Sequence, residues 1–388
     1  MESLGNNRSV IREIFEYAKK RRAEIGEENV FDFSIGNPSV PTPAAVTRAI
    51  KEIIDSTDPV KLHGYTSAQG DGGVRGTVSK SIERRFGVKS DPELIYMTCG
   101  AAASLTVTLN ALINPGDEVI VFSPYFPEYR VFAEKAGAEL KEVRCNTADF
   151  KPDINKLEKT ITEKTKAVII NSPNNPTGVV LNENDIKEIA AVLTKKQNET
   201  GNSIFIISDE PYRELVYGAQ VPYIPKYYRN TLVCYSFSKS LSLPGERIGY
   251  IAVNPDAEGA KRVYAAICGA GRALGFVCAP SIWQYTVARC IDVMPDTGIY
   301  KKNRDLLCGA LESYGYTVIP PDGAFYLFVK SPEPDAVKFC ERAKKYELLP
   351  VPADSFGAKG YVRICYCVET DMIKRALPGF KALMEEYK

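Results

Sequence analysis

One lysine follows directly on an apolar, strand-like run: Leu232-Val233-Cys234-Tyr235 leads into Ser236-Phe237-Ser238-Lys239. A primary amine held there can condense with an aldehyde, provided it is accessible and often enough deprotonated. A second run, Ile204-Phe205-Ile206-Ile207, ends in Ser208-Asp209, a carboxylate that could keep a pyridine nitrogen protonated. A third, Ala167-Val168-Ile169-Ile170, enters the turn-rich Asn171-Ser172-Pro173-Asn174-Asn175-Pro176-Thr177-Gly178. Arg247 precedes a further run. A phosphate needs such an Arg fork, hydroxyls and the backbone N–H groups of a helix start. Lys239, Asp209, and Arg247 with Ser236 thus match, in order, the amine, the ring-nitrogen partner and the phosphate clamp that pyridoxal phosphate (PLP) chemistry requires. Each has a plainer reading alone: Asp209 as a helix cap, Asn175 as a turn former, Lys239 as a solvated lysine, Arg247 as the partner of an acid such as Glu246. Their order and spacing together carry the argument.

The elements that must position them are strands and helices in alternation. Residues 118–122 and 248–253 add two more apolar runs, and β-branched runs of this kind suit strands covered on both faces. Between them lie amphipathic segments such as 184–196, with Ile186, Ile189, Ala190 and Leu193 at helical spacing. The pattern predicts an α/β fold: a mostly parallel sheet with helices on both sides. Ligands of such sheets bind beyond the carboxyl ends of the strands. The C-terminal part differs, with strand-like 323–329 and 361–366 among helices such as 371–387, and reads as a smaller α+β domain. The expected division is an N-terminal arm and part of the small domain over 1–45, a large domain over 46–285 and a small domain over 286–388. One helix-like segment, 10–25, precedes a strand expected at Ser34-Ile35-Gly36.

Composition narrows the function. The 388 residues are 45% hydrophobic and 25% charged, as in a soluble globular protein. Lys plus Arg is 49 and Asp plus Glu is 48, a net charge of +1, which makes no general case for nucleic acid or an anionic membrane. No apolar run is long enough to span a bilayer, and the start has no basic region followed by an apolar stretch, so a cytoplasmic protein is expected. Ten cysteines without a Cys-x-x-Cys pair read as buried reduced thiols, and Cys365 and Cys367 as pointing together into a core rather than at a metal. With His63 the only histidine, His-rich zinc sites are excluded, and no metal is expected. A Ser-His-Asp triad would need that histidine and lacks a Gly-x-Ser-x-Gly elbow. Acid–base work must fall to Lys, Asp, Glu or Tyr.

The stretch Ser236-Phe237-Ser238-Lys239-Ser240-Leu241-Ser242-Leu243-Pro244-Gly245-Glu246-Arg247-Ile248-Gly249 resembles the cofactor-lysine signature of the class I/II aminotransferases of PLP fold type I, the aspartate aminotransferase-like proteins. Asn171 to Gly178 resembles that family's second hallmark and Ser208-Asp209-Glu210-Pro211-Tyr212 its third, and the likeness runs from about Asp32 to Arg363. It implies a large domain with a mostly parallel seven-stranded sheet in an α/β/α sandwich, plus a smaller α+β domain. It also implies PLP held by Lys239 as a Schiff base, in a homodimer with shared active sites. Asn175 and Tyr212 would hydrogen-bond the ring oxygen, Tyr125 would stack on the ring, and Gly100, Ala101, Ala102, Ser236, Ser238 and Arg247 would seat the phosphate. Arg363 would grip the substrate α-carboxylate, helped by Asn175 and by close backbone approach at Gly36. An arginine between Val362 and Ile364 is costly to bury without an anion. Tyr65, counted with the catalytic residues, would reach the phosphate from the second subunit.

Two departures stand out. Gly100-Ala101-Ala102-Ala103 carries no Ser or Thr where many members have one, leaving backbone N–H groups to hold the phosphate. Ala102 also stands where some aspartate-specific members carry a lysine; Arg272, from the partner subunit, would either replace it against the substrate carboxylate or pair on the surface, since the Gly269-Ala270-Gly271 before it departs from the family's motif. The implied reaction moves an amino group from an L-amino acid to a 2-oxo acid such as 2-oxoglutarate by a ping-pong route, with Lys239 as the acid and base. Aspartate is the first donor expected, then aromatic amino acids and alanine. A carbon–sulfur β-lyase would use the same residues. A regulator with a helix-turn-helix would need a longer N-terminal region. The glycines of 269–275 lack dinucleotide-loop spacing and follow a helix-like segment.

Overall fold

A computed structural model describes residues 2–6 and 9–388. Its strands are β1 (Phe31–Asp32), β2 (Ile95–Thr98), β3 (Glu118–Ser123), β4 (Glu139–Arg144), β5 (Thr165–Asn171), β6 (Phe205–Asp209) and β7 (Thr231–Ser236). They continue with β8 (Gly249–Val253), β9 (Thr317–Ile319), β10 (Tyr326–Lys330), β11 (Leu348–Leu349), β12 (Val351–Pro352) and β13 (Tyr361–Cys365). Seven of them form one sheet in the order β2-β8-β7-β6-β5-β3-β4. The five from β3 to β7 are parallel; β8 runs antiparallel between β7 and β2. β3, β6, β7 and β8 are buried along their whole length, so apolar side chains are covered on both faces. This is the mostly parallel sheet that the sequence pattern predicts, with the seven strands that the family resemblance implies.

Register then does the positioning. Asn171 pairs with Asp209, and Asp209 with Cys234, so the ends of β5, β6 and β7 lie side by side. The helix Glu183–Thr200 that follows β5 begins with a reciprocal capping box between Asn182 and Asp185. Residues 269–274 lie inside the helix Ala260–Leu274, which ends at Gly275 with φ 78°, so no dinucleotide loop exists there.

A second sheet, β12-β13-β10-β9, is antiparallel and carries Arg363 opposite Phe328 and Val351. Beside it β1 pairs in parallel with β11. The strand expected at Ser34-Ile35-Gly36 is not formed: the pairing lies earlier, at Phe31–Asp32, and the Ser34 amide and hydroxyl bond Asp32 Oδ1 instead. The apolar pattern does not mark β2 and β4 of the large sheet, nor the short β9, β11 and β12. β2 and β4 lie at sheet edges, and β4 has only two apolar residues, Leu140 and Val143, among charged ones rather than a continuous apolar run. The helix Val10–Ile25 lies where the sequence predicts it. Among the described residues no helix is long and apolar enough to cross a membrane.

Candidate active site

The carboxyl ends of β5, β6 and β7 open into a cavity of about 360 Å³. Gly36, Tyr326 of β10 and Arg363 of β13 line it from the other side, and Ile11 reaches it from the helix Val10–Ile25. Lys239 stands in the one-turn helix Phe237–Ser240 that follows β7, capped by Ser236, whose Oγ accepts from the Ser238 amide at 3.2 Å. Its Nζ donates to the Gly36 carbonyl at 2.6 Å. Burial lowers the pKa of this amine, and Arg247 and Arg363 push the same way against the nearby thiols of Cys367 and Cys365. A lowered pKa is what carbonyl condensation needs. Gly36 admits no side chain, because a Cβ would collide with the Tyr326 hydroxyl.

Asp209 is buried at the end of β6. Its Oδ2 accepts the Tyr129 hydroxyl, while Oδ1 is buried without a hydrogen-bond partner. Burial pushes the carboxyl up to about 7; the Tyr129 bond offsets only part of that. Asn171 ties the neighbouring turn to the same strand end. Its Nδ2 donates to the Asp209 carbonyl at 2.9 Å, and its Oδ1 accepts the Asn175 amide at 2.8 Å. Tyr212 shares a 2.9 Å hydroxyl contact with Tyr326.

Two arginines mark two anion seats. Arg247 has φ 50°, a left-handed conformation, and its Nη1 donates to the Pro244 carbonyl at 2.9 Å and the Ser238 hydroxyl at 3.3 Å. Gly100, at φ 83°, caps the helix Ala101–Leu112; a Cβ there would lie 2.7 Å from Arg247 Nη2, so this approach requires glycine. Ala101 and Ala102 line the cavity at that helix start, where backbone N–H groups and the helix dipole favour an anion. Arg363 is only 2% exposed. Its Nη1 donates to Asn175 Oδ1 at 3.0 Å and its Nη2 to the Ser34 carbonyl, with Tyr326 and Phe356 against its faces. Its Nε has no partner, and among the described residues no carboxylate pairs with it.

The structure therefore gathers Gly36, Ala101, Ala102, Asn175, Asp209 and Tyr212 around one cavity, together with Ser236, Ser238, Lys239, Arg247 and Arg363. Tyr125 is not among them. Its ring is buried and its hydroxyl donates to Glu142 at 2.8 Å, whereas the next residue, Phe126, lines the cavity. Tyr65 is 98% exposed, and Arg272 is exposed on the helix Ala260–Leu274; neither lines the cavity of its own chain. Residues not singled out in the sequence are Tyr129, Phe126, Asn171 and Tyr326. Asn171 heads the Asn171–Gly178 hallmark, the one signal that could have found it.

An amine of lowered pKa, an unmatched carboxylate oxygen and two separate cationic seats in one cavity fit a phosphorylated pyridine aldehyde with an amino acid beside it. Oδ1 of Asp209 could accept from a ring N–H, and Arg247 with the helix start could hold the phosphate. Comparison with known proteins agrees. The model of the family "Aminotransferase class I and II" matches residues 28–380. A crystal structure of an amino transferase from Eubacterium rectale superposes with a TM-score of 0.98 at 52% identity, over 100% of this chain and 98% of that one. The aspartate aminotransferase of Thermotoga maritima is 32% identical over 90% of each chain. The aromatic-amino-acid aminotransferase 2 of Thermococcus litoralis is 28% identical over 98% of this chain and 97% of its own. The chain belongs to the class I and II aminotransferases, a family of PLP-dependent enzymes.

Proposed function

We propose that this aminotransferase takes its amino group from L-aspartate and passes it to a 2-oxo acid such as 2-oxoglutarate in a ping-pong cycle, as a cytoplasmic homodimer. The observation that carries the reading is Arg363, a buried guanidinium with a free Nε, facing the same cavity as the Lys239 amine. A carboxylate bound there sets an amino acid's Cα within reach of that amine. PLP, when bound, supplies the electrophilic carbon and the electron-withdrawing ring. Lys239 would hold the cofactor and would move the proton at the substrate's Cα. Asp209 Oδ1 would keep the ring nitrogen protonated. Asn175 and Tyr212 would bond the ring oxygen, with Phe126, in place of Tyr125, as the aromatic partner of the ring. Arg247, Ser236, Ser238 and the N–H groups of Ala101 and Ala102 would hold the phosphate.

Tyr65 and Arg272 complete the neighbouring subunit's cavity in this reading, the first at the phosphate, the second at the donor's side-chain carboxylate. The cavity then lies between a large domain over 46–285 and a small one over 286–388 with part of 1–45. The Thermotoga relative is named for aspartate and the Thermococcus relative for aromatic amino acids, which supports testing these donors first. An absorbance spectrum with added PLP tests the reaction. The cofactor band should shift with L-aspartate and return with 2-oxoglutarate; a bound cofactor indifferent to aspartate discards this donor. Pyruvate and ammonia from cystathionine without an acceptor would establish the β-lyase instead. Arg272→Ala should lower kcat/KM for aspartate and spare alanine; equal losses remove Arg272 from substrate recognition.

A further inference from the structure

Two thiols that no step above uses lie against the cavity wall. Cys365 ends β13, two residues beyond Arg363 and therefore on the same face of that strand. Its Sγ is 3.0 Å from Cys367 Sγ, and both side chains are buried. Cys367 Sγ lies in turn 3.1 Å from the Asn37 carbonyl. It thus leans on the segment whose Ile35 and Gly36 line the cavity and whose Gly36 carbonyl accepts from Lys239. No other pair of the chain's cysteines is in sulfur–sulfur contact among the described residues.

The electrostatics of the pair are uneven. Burial pushes the Cys365 thiol up. The hydrogen bond from Cys367 and the cations Arg363 and Lys239 outweigh it and hold Cys365 below its ordinary value. Burial and the neighbouring sulfur keep Cys367 protonated. One sulfur is thus biased toward thiolate, the nucleophilic form, with a protonated partner beside it, as in an attacking and resolving pair.

We propose that Cys365 and Cys367 are a peroxide-sensitive dithiol that closes to an intrachain disulfide and weakens the amino-acid seat at Arg363. The Cys365 thiolate attacks one oxygen of hydrogen peroxide; an S–O bond forms, the O–O bond breaks, and the leaving hydroxide becomes water with a proton from solvent. Cys367 sulfur then attacks Cys365 sulfur. The S–S bond forms, the S–O bond breaks, and the second hydroxide leaves as water with the Cys367 proton. Two thiols lose two electrons and one peroxide becomes two waters. Closure draws Cys367 off the Asn37 carbonyl and displaces the end of β13 that carries Arg363. Because β13 and the segment at Gly36 meet at this pair, the effect falls on substrate affinity more than on cofactor retention. Its consequence for activity rests on the function proposed above; the disulfide does not.

The test treats the PLP-loaded enzyme with hydrogen peroxide and maps its tryptic peptides. Residues 364–374 fall in one peptide holding both cysteines. That peptide should lose two hydrogens, KM for the amino-acid donor should rise about tenfold, the loss of one charge-assisted hydrogen bond, and dithiothreitol should reverse both. Cys365→Ala and, independently, Cys367→Ala should transaminate when reduced and keep their KM in peroxide. Oxidation of the more exposed Cys99 and Cys268 without a disulfide in 364–374 overturns the proposal. So does a mapped disulfide with unchanged KM. A reduced wild-type enzyme that binds PLP but transfers no amino group counts against the function instead, since the peptide map still reads the pair.

Discussion

The two walls of the cavity each keep one buried polar atom unmatched, and the two are opposite in kind. The wall built from the ends of β5 to β7 keeps an acceptor, Asp209 Oδ1; the wall built from β10, β13 and the Gly36 segment keeps a donor, Arg363 Nε. Around Asp209 the rest is interlocked: Tyr129 holds one oxygen, and Asn171 joins its carbonyl to the Asn175 turn. Around Arg363 the contacts are two hydrogen bonds and two aromatic faces, on a smaller antiparallel sheet. An unmatched buried acceptor suits a permanent guest that brings its own N–H, and an unmatched buried guanidinium suits a carboxylate that comes and goes. In the proposed reading the sheet wall would serve the cofactor that stays, and the other wall the substrate that is exchanged.

The sharpest way to break this contrast is at the residue the walls share. Lys239→Ala should reduce transamination by more than about 10⁴-fold, since both its acid–base work and its attachment to the cofactor are lost. Steady-state turnover measures this, and the spectrum should report a cofactor that dialyses away. Arg363→Ala should raise KM for the donor on the order of 100-fold, as expected for deleting one buried charged partner, while leaving cofactor retention unchanged. A matching loss of PLP would erase the distinction between the walls.

Asp209 gives a pH test without turnover. In the cofactor-free chain the folded state holds a proton on Asp209 up to about 7, whereas the unfolded chain has lost it above 3.8. Stability from this residue therefore falls as pH rises between those values, by roughly 1.4 kcal/mol per unit at most, and levels off above them. Thermal melts of Asp209→Asn should lack that slope, and adding PLP to the wild type should flatten it. A slope shared by the variant would mean that some other group titrates. The smallest effects separate two adjacent rings: Phe126→Ala should weaken PLP retention about tenfold, and Tyr125→Phe should leave it unchanged. The reverse order would restore Tyr125 to the ring.

That last pair shows where sequence reading stops. Lys239, Asp209 and Arg247 are legible because each follows or precedes a buried strand, and strand ends are set by the apolar pattern; Asn175 alone reads as a turn former and takes its role from the family resemblance. Which of two neighbouring aromatics faces the cavity depends on the backbone path after Pro124, and both satisfy the same pattern. Tyr129 and Tyr326 are invisible for a related reason: their hydroxyls meet Asp209 and Tyr212 from distant parts of the chain. Ser34 to Gly36 looks extended in sequence, yet Asp32 takes up the Ser34 donors locally and sheet pairing ends two residues earlier. The edge strand β4 escapes because its solvent-facing side chains are charged, as edges require. Arg363 is the exception on the smaller sheet: the family resemblance points to it, and the cost of burying a lone cation in an apolar strand favours an anion there.

The unmet Nε of Arg363 also makes the protein a detector of its own ligands. A carboxylic acid that seats against it binds the folded chain alone, so it raises the melting temperature by mass action, with no need for turnover. A panel of amino acids, 2-oxo acids and inert dicarboxylates, ranked by thermal shift and repeated on Arg363→Ala, would sort the acids that use this guanidinium from those that bind elsewhere. The donor could thus be found by calorimetry before any product is assayed.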